Sequence, residues 1–198
     1  MNIPRRAARL IHPFALMLVL AGFPATTLSA ASAATATTAS APTCATTTAG
    51  WGSGARSLSR MTTAPLTNIR AGRQACFDRM VVDIRGRGAG YTVRYVSRVL
   101  SEGQGAVVPL RGGARLAVVI TAPAYNVTTG RSTYRPANAR ELVNVAGFST
   151  FRQIAWGGTF EGYTTIGVGV RTRLPMRAFI ADGPGAGSRV IIDVAHRW

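Results

Sequence analysis

The sequence contains no lysine: all 23 of its Lys+Arg residues are arginine, against only 7 Asp+Glu. Histidine and cysteine are also scarce, with His12 and His196 for one and Cys44 and Cys76 for the other. Two cysteines are too few for a disulfide-dense miniprotein or a four-cysteine zinc module. With one histidine beyond the N-terminal segment, we expect no metal site, no cofactor and no hydrolytic triad. Hydrophobic residues still make up 47% of the chain, which excludes a wholly disordered protein.

The sequence also lacks an apolar run long enough to be read as a stable membrane span. The longest, residues 10–23, follows three arginines and leads into small residues that include Ala31-Ser32-Ala33. A spanning helix needs about 20 predominantly apolar residues, whereas this basic, apolar and small-residue order is typical of a secretory signal peptide. We predict a signal peptide over residues 1–33 and a secreted or cell-wall-associated protein. Retention of the run as an anchor is the alternative.

The positive charge survives removal of residues 1–33, because only Arg5, Arg6 and Arg9 leave with them. A strongly basic protein is expected to bind anionic partners. Outside the cell, peptidoglycan and its attached anionic polymers are more available than nucleic acid, so we predict a wall polymer as the partner and no nucleic acid. Docking onto another envelope protein is one alternative. Biased base usage, which would fill ordinary surface positions with arginine, is another.

The mature chain divides into a leader and one domain. Residues 34–50 are rich in Thr and Ala and have no hydrophobic period, which predicts a flexible leader; residues 51–198 are enough for one core. In an oxidising compartment Cys44 and Cys76 are expected to form a disulfide that ties the leader to the start of the first predicted strand. The alternative is a nucleophilic thiol, which needs a nearby base, and His196 is the only histidine of the predicted mature chain.

Strand patterns dominate the domain. Residues 79–85 alternate, with Met80, Val82 and Ile84 on one face. Asn138 followed by Glu141 resembles the N-cap pair of one short helix. Glycine-rich turns are predicted at 85–90 and 183–187. The predicted fold is all-β, a β-sandwich or partly open barrel of about seven or eight short strands with at most one short helix. The main predicted strands are 79–85, 91–99, 115–121, 154–156, 163–171, 177–181 and 189–195.

One hexapeptide pattern occurs twice: RMVVDI at 79–84 is echoed by RVIIDV at 189–194. Each copy places a carboxylate, Asp83 or Asp193, on an otherwise apolar second face of its strand. Because buried polar groups are normally hydrogen-bonded, we interpret both as structural groups rather than catalysts. A chance match in a β-rich chain is the alternative.

Aromatic residues and arginines near the predicted turns are the candidate ligand-binding residues. Aromatic faces stack on sugar rings, and guanidinium groups hold carboxylate or phosphate in bidentate geometry. A core position is the alternative for Trp156. A cell-wall hydrolase that uses Glu161 with a second carboxylate is an alternative function, although no spacing selects the second acid. The predicted ligand-binding residues are Trp156, Glu161, Tyr163, Arg152, Arg171 and Arg173.

Three blocks of the sequence resemble the AMIN-like domain of exported actinobacterial proteins. They are FEGYTTIGVGVRTRLPMRAF at 160–179, DRMVVDIRG at 78–86 and RVIIDVAHRW at 189–198. Trp51-Gly52-Ser53 and the two cysteines are similar as well, so the resemblance covers residues 44–198. The family is named for its similarity to the AMIN domain, a β-sandwich that targets N-acetylmuramoyl-L-alanine amidases and secretins to peptidoglycan. The resemblance therefore implies a non-catalytic module of the cell envelope.

Overall fold

Eleven β-strands make up the regular structure of the computed structural model, which describes Cys44 and residues 50–198. The predicted signal peptide, and the predicted leader apart from Cys44 and Gly50, lie outside the described residues. The described part contains no helix, and so none that is long and apolar enough to cross a membrane. The strands are β1 (Arg56–Leu58), β2 (Leu66–Arg73), β3 (Phe77–Ile84), β4 (Tyr91–Val96), β5 (Val99–Leu100), β6 (Val107–Val108), β7 (Ala114–Ile120), β8 (Phe151–Phe160), β9 (Tyr163–Val170), β10 (Met176–Asp182) and β11 (Ser188–Ala195).

The strands form two main sheets and a short ribbon, and all of their pairings are antiparallel. The five-stranded sheet has the order β1-β4-β7-β9-β8, and the four-stranded sheet has the order β10-β11-β3-β2. β5 and β6 form the ribbon. The two main sheets pack face to face, which confirms the predicted all-β sandwich; there are more strands than the sequence indicated.

The core lies between the two sheets and follows the alternation of the strands. Met80, Val82 and Ile84 are at most 2% exposed, as the pattern of residues 79–85 predicted. The same alternation buries one side of each neighbouring strand, because side chains two residues apart share a face. From the four-stranded sheet the core also receives Leu66, Ile69, Val190, Ile192 and Val194, and from the other sheet Val93, Leu116, Val118, Ile120, Ile154, Ile166, Val168 and Val170.

Two local features differ from the sequence expectation. β2 was not predicted, because its register shifts between Leu66 and Asn68 and this bulge breaks the alternation. The N-cap pattern at Asn138 does not begin a helix. The side-chain oxygen of Asn138 accepts a hydrogen bond from the Arg140 amide at 2.9 Å, and the Asn138 carbonyl accepts one from the Glu141 amide at 3.2 Å. The segment therefore closes as a turn.

The predicted disulfide joins Cys44 and Cys76 with a Cα–Cα distance of 5.3 Å. Cys76 lies in the turn between β2 and β3, directly before the strand that the alternation identified. The carbonyl of Cys76 accepts the amide of His196 at 2.9 Å. The N-terminal and C-terminal segments of the domain therefore meet at this end of the sandwich.

Candidate functional site

The outer face of the four-stranded sheet carries one arginine from each of its strands: Arg70 from β2, Arg79 from β3, Arg177 from β10 and Arg189 from β11. We call this surface the arginine face. The four side chains are between 28% and 48% exposed. Their aliphatic stems cover the sheet, because Val81 and Ile191 between them are only 5% and 6% exposed. The charged groups are therefore held at the surface and remain accessible.

The repeated hexapeptide explains how the middle of this face is built. β3 and β11 are antiparallel neighbours, and their register places Arg79 opposite Asp193 and Arg189 opposite Asp83. Arg79 forms a bidentate pair with Asp193, at 2.7 and 2.9 Å, and Arg189 lies 3.6 Å from Asp83. Opposite charges across neighbouring strands stabilise a sheet. The interpretation of both aspartates as hydrogen-bonded structural groups is confirmed.

The outer strands add a second arginine to each aspartate. Arg177 Nε donates to Asp193 at 2.8 Å, and Arg70 donates through Nε and Nη2 to Asp83 at 3.0 and 3.1 Å. These hydrogen bonds to carboxylates raise the pKa of Arg70 and of Arg79. Two carboxylates thus orient three guanidinium groups by hydrogen bonds and form a longer ion pair with the fourth, that of Arg189. The face keeps an excess of positive charge for an anionic ligand.

Three aromatic rings surround the arginines at one end of the face. The Arg177 guanidinium lies 4.6 Å from the ring centroid of Trp51, 5.2 Å from that of Phe77 and 5.5 Å from that of Phe179. The Arg79 guanidinium lies 5.1 Å from the Phe77 ring. Cation–π contacts and the Asp193 carboxylate together fix both guanidinium groups. Flat apolar rings thus lie beside charged groups of fixed direction.

A groove of about 740 Å³ occupies the other end of the arginine face. Arg70, Arg189, Asp83 and the exposed Arg85 line it, together with the turn between β10 and β11. That turn, closed by the bond from the Gly183 amide to the Gly187 carbonyl, was predicted from its glycines. Three arginines against one carboxylate make the groove suitable for a phosphate or carboxylate group.

The structure divides the predicted ligand-binding residues between the two ends of β9. Arg152 and Arg171 come together, since both guanidinium groups donate to the carbonyl of Ser149, at 3.4 and 3.3 Å. Arg173 follows β9 and donates to the carbonyl of Ser53 at 3.1 Å. Glu161 and Tyr163 lie at the start of β9. The strand has eight residues, so about 26 Å separates the two groups at about 3.3 Å per residue.

Trp156 is half-buried on β8 and belongs to neither group. Its ring packs against Tyr134 with centroids 5.4 Å apart, and its side chain contacts the main core. Burial raises the pKa of Tyr134, because the phenolate would be poorly solvated there. The packing of Trp156 agrees with the core alternative that the sequence left open, although the residue also lines a groove beside Phe160.

His196 lies beside a carboxylate, but the arrangement is structural. Its Nε2 is 3.1 Å from Asp78, which is fully buried and accepts the amides of Thr150 and Phe151 at 2.6 and 3.0 Å. The hydroxyl of Thr150 donates to the carbonyl of Ala195 at 3.1 Å. Asp78 therefore connects β3 to the start of β8 and to the C-terminal segment, and the neighbouring hydroxyl is held by the backbone.

The described residues contain no group of three His, Cys, Asp or Glu that could hold a metal ion. Five grooves on the described part of the chain are each lined by at most one carboxylate. A glycosidase needs two carboxyl groups about 5–9.5 Å apart on either side of its substrate.

Sequence reasoning did not select the arginine face, even though it noticed the repeat that forms its centre. The sequence feature that could have indicated this surface is the Arg-x-x-x-Asp spacing in each copy of the repeat. Two antiparallel copies of it pair reciprocally, each arginine facing the aspartate of the other copy. The adjacency of β3 and β11, more than a hundred residues apart in the chain, was the missing information.

Comparison with known proteins gives one family. The family model described as AMIN-like domain matches residues 64–196. The match includes every strand from β2 to β11 and all four residues of the arginine face, whereas Trp51 and Cys44 precede it. No curated protein and no solved structure gives a significant match.

Proposed function

This chain belongs to the AMIN-like domain family, and from that premise we propose that it is an exported, non-catalytic module that binds peptidoglycan or an anionic polymer attached to it. Membership indicates a module associated with the cell envelope. The disulfide is compatible with a position outside the cytoplasm. The binding surface in this proposal is the arginine face together with its groove.

The observation that carries the proposal is the arrangement of four arginines, one from each strand of the four-stranded sheet, around two aspartates. The carboxylates hold the guanidinium groups in place before a ligand arrives, so little side-chain entropy is lost on binding. Phosphate or carboxylate groups of a polymer then accept bidentate hydrogen bonds. Trp51 and Phe179 offer ring edges and faces to the sugars that carry those groups.

The predicted set Arg152, Arg171 and Arg173 remains a second candidate surface. Arg152 donates to three backbone carbonyls, and Arg171 donates to the carbonyls of Ser149 and His196. A guanidinium group whose N–H groups already bind the backbone has fewer of them for a ligand. The guanidinium groups of the arginine face are also hydrogen-bonded, but this face adjoins a groove in which Arg70, Arg85 and Arg189 face the single carboxylate of Asp83, and for that reason it is the preferred site.

A binding measurement with insoluble peptidoglycan tests the proposal. The double variant Arg70→Gln/Arg85→Gln removes two cations from the groove and leaves Asp83 paired with Arg189 and Asn68. We expect sedimentation with peptidoglycan to weaken about tenfold relative to the unaltered protein. Binding should also weaken with added salt, since charged surface contacts are screened.

The matched control is Arg94→Gln/Arg98→Gln, which removes the same charge from exposed positions that make no ion pair in the described part of the chain. It should retain binding within about twofold. If both double variants lose the same amount of peptidoglycan binding, the effect depends only on net charge, and the arginine face is rejected as the binding surface. Absence of sedimentation by the unaltered protein at low salt would reject wall binding.

The hydrolase alternative has its own readout, the release of soluble fragments from the same peptidoglycan. The proposal expects no release by the unaltered protein. Release that disappears in Glu161→Gln would replace binding by hydrolysis as the function.

A further inference from the structure

The turn between β8 and β9 is surrounded by exposed apolar side chains. Met61, Val127, Phe160 and Tyr163 are 54%, 51%, 51% and 41% exposed, and they are four of the seven large hydrophobic residues exposed in the described chain. Met61 shares one groove with Val127 and Glu161 and another with Tyr163. Phe160 and Tyr163 are direct cross-strand partners. We call these four residues, together with Glu161, the apolar tip. Clustered apolar exposure of this kind marks interaction sites.

Glu161 occupies a backbone conformation that glutamate rarely adopts. It has φ 47°, and among the described residues it is the one non-glycine position with positive φ. Gly162 follows with φ 83°, so the two residues form the tight turn of the hairpin. Glycine or asparagine is the usual occupant of such a position. An outlier of this kind points to a use for the glutamate side chain.

The Glu161 carboxylate is also unpaired. All seven acidic residues of the chain lie in the described part, and six of them accept a hydrogen bond or form an ion pair. Glu161 alone among these acids does neither, although the chain has a net charge of +16. A free carboxylate that lines a groove with Met61 and Val127 is complementary to a cation that also presents apolar surface.

The tip is held rigidly by its surroundings. The amide of Gly162 donates to the hydroxyl of Tyr125 at 3.2 Å, and the hydroxyl of Thr159 donates to the carbonyl of Tyr163 at 2.9 Å. On the other side Phe160 lies beside Gly103, in the loop between β5 and β6. A site that is ordered before binding loses little entropy when a partner docks.

We propose that the apolar tip is a docking site for another protein, whose contact segment presents a lysine or arginine flanked by apolar side chains. The basic residue would pair with Glu161, and its apolar neighbours would cover Met61 and Val127, which line the same groove. A carboxylate within the patch opposes insertion into an anionic lipid surface. It equally opposes contact with the anionic polymers that suit the arginine face.

Docking at the tip is compatible with attachment elsewhere on the molecule. The backbone of His196 is hydrogen-bonded to Cys76 of the disulfide, and its carbonyl accepts a hydrogen bond from Arg171. Arg171 directly follows β9, whereas the apolar tip lies at the start of β9. The length of β9 therefore separates the tip from the end at which the leader is attached. The proposal is independent of wall binding, which involves the opposite sheet.

Photo-crosslinking in cells that produce the full chain tests the inference. Benzoylphenylalanine at position 160 keeps an aromatic group at the tip and captures what contacts it. We expect a discrete protein adduct, whose crosslinked peptide, identified by mass spectrometry, contains a lysine or arginine next to apolar residues. A lipid or glycan adduct, a crosslinked peptide without a basic residue, or no adduct at all would overturn the proposal.

Two variants in the same background define the role of the carboxylate. Glu161→Gln should lower the adduct yield about tenfold, the loss expected for a charge-assisted hydrogen bond. Asp182→Asn, which neutralises an acid that is 80% exposed elsewhere, should leave the yield within about twofold. An unchanged yield in Glu161→Gln would overturn the proposal.

Glu161→Gly separates docking from folding. Glycine adopts positive φ without strain, so the melting temperature should not fall, while the adduct yield should fall as in Glu161→Gln. Peptidoglycan sedimentation by both variants should equal that of the unaltered protein. A failure of wall binding is therefore distinguishable from a failure of docking.

Discussion

The outer faces of the two main sheets are finished in different ways. The four-stranded sheet leaves its outer face to partly exposed arginines, whereas the five-stranded sheet is covered by the chain between β5 and β7. Val99 and Val108 of the ribbon pack with Ala117 and Ala155 of the sheet in a second small core. One sandwich therefore has one face open to a ligand and one face closed by its own loops.

The covered face depends on small outward residues. Along β9 the inward positions Val168 and Val170 are fully buried, while the outward positions are Gly167 and Gly169. A Cβ at Gly167 would lie 2.9 Å from the Leu110 side chain, and one at Gly169 would clash with the carbonyl oxygen of Arg111. The backbone of the covering loop rests directly on the sheet at these points.

Gln153 fixes the covering loops by hydrogen bonds. Its side chain accepts the amide of Arg111 at 2.8 Å and donates to the carbonyl of Arg140 at 2.8 Å. Leu142 and Trp156 then pair with the backbone across the edge of β8, since the Leu142 amide donates to Ile154 and the Trp156 amide to Ala139. A covered edge cannot recruit a strand from another molecule. Small outward residues thus allow loops to cover the five-stranded sheet, whereas the larger outward residues of the four-stranded sheet leave that face open to a ligand.

The largest effect on stability is expected from a substitution that forces the covering loop away from the five-stranded sheet. Gly169→Val would insert a branched side chain where the Arg111 carbonyl lies, so the loop must leave the sheet. We expect a loss of more than about 3 kcal/mol in the free energy of unfolding, measured by urea denaturation. The control on the open face is Ala181→Val, at an outward position of β10, which should change stability by no more than about 0.5 kcal/mol. Equal effects would show that both faces are equally closed.

An intermediate effect compares the two aspartates of the open face. Asp193 is fully buried beneath Arg79 and Arg177, so Asp193→Asn should lower the free energy of unfolding by about 2 kcal/mol. Asp83 is 23% exposed and pairs with the more exposed Arg70, so Asp83→Asn should lower it by less than about 1 kcal/mol. Thermal denaturation of both variants measures the difference. The reverse order would mean that the Asp193 cluster contributes little to folding.

The smallest expected effect is an absence of pH dependence on the open face. Its cations are all arginines, and the hydrogen bonds to Asp83 and Asp193 raise the pKa of Arg70 and Arg79 above the ordinary guanidinium value. A guanidinium group stays charged at every pH below its pKa. A raised pKa therefore keeps Arg70 and Arg79 charged at neutral and moderately alkaline pH. Peptidoglycan sedimentation should therefore stay constant between about pH 6 and pH 10. A fall near pH 10 would assign binding to groups other than these arginines.

The fold was largely predictable where alternation is regular. β3, β7, β9 and β11 alternate over seven or eight residues, and the sequence located them within one or two residues. β2 escaped because the bulge after Leu66 moves the apolar residues out of phase. β5 and β6 have two residues each, too short for any period to show. Their positions depend on packing against Ala117 and Ala155, which are distant in sequence.

The candidate site was less predictable, because its formation depends on strand adjacency. The sequence identified Asp83 and Asp193 as structural and could not identify their partners. Arg177, for example, reaches Asp193 only because β10 pairs with β11 in one particular register. The choice of Arg152, Arg171 and Arg173 rested on closeness in sequence to aromatic residues. The structure shows that guanidinium groups in such positions can be engaged by nearby carbonyls instead.

The pairing of β3 with β11 also determines when the domain can fold. A chain that is synthesised amino end first presents β2 and β3 early, whereas β11, the neighbour of β3 in the sheet, is the last of the described strands. Until Ser188–Ala195 is free, the four-stranded sheet lacks the strand that joins β3 to β10. Such long-range closure is slow relative to local hairpin formation. The four-stranded sheet, and with it the ordered row of arginines, therefore cannot be completed before β11 is available to pair with β3.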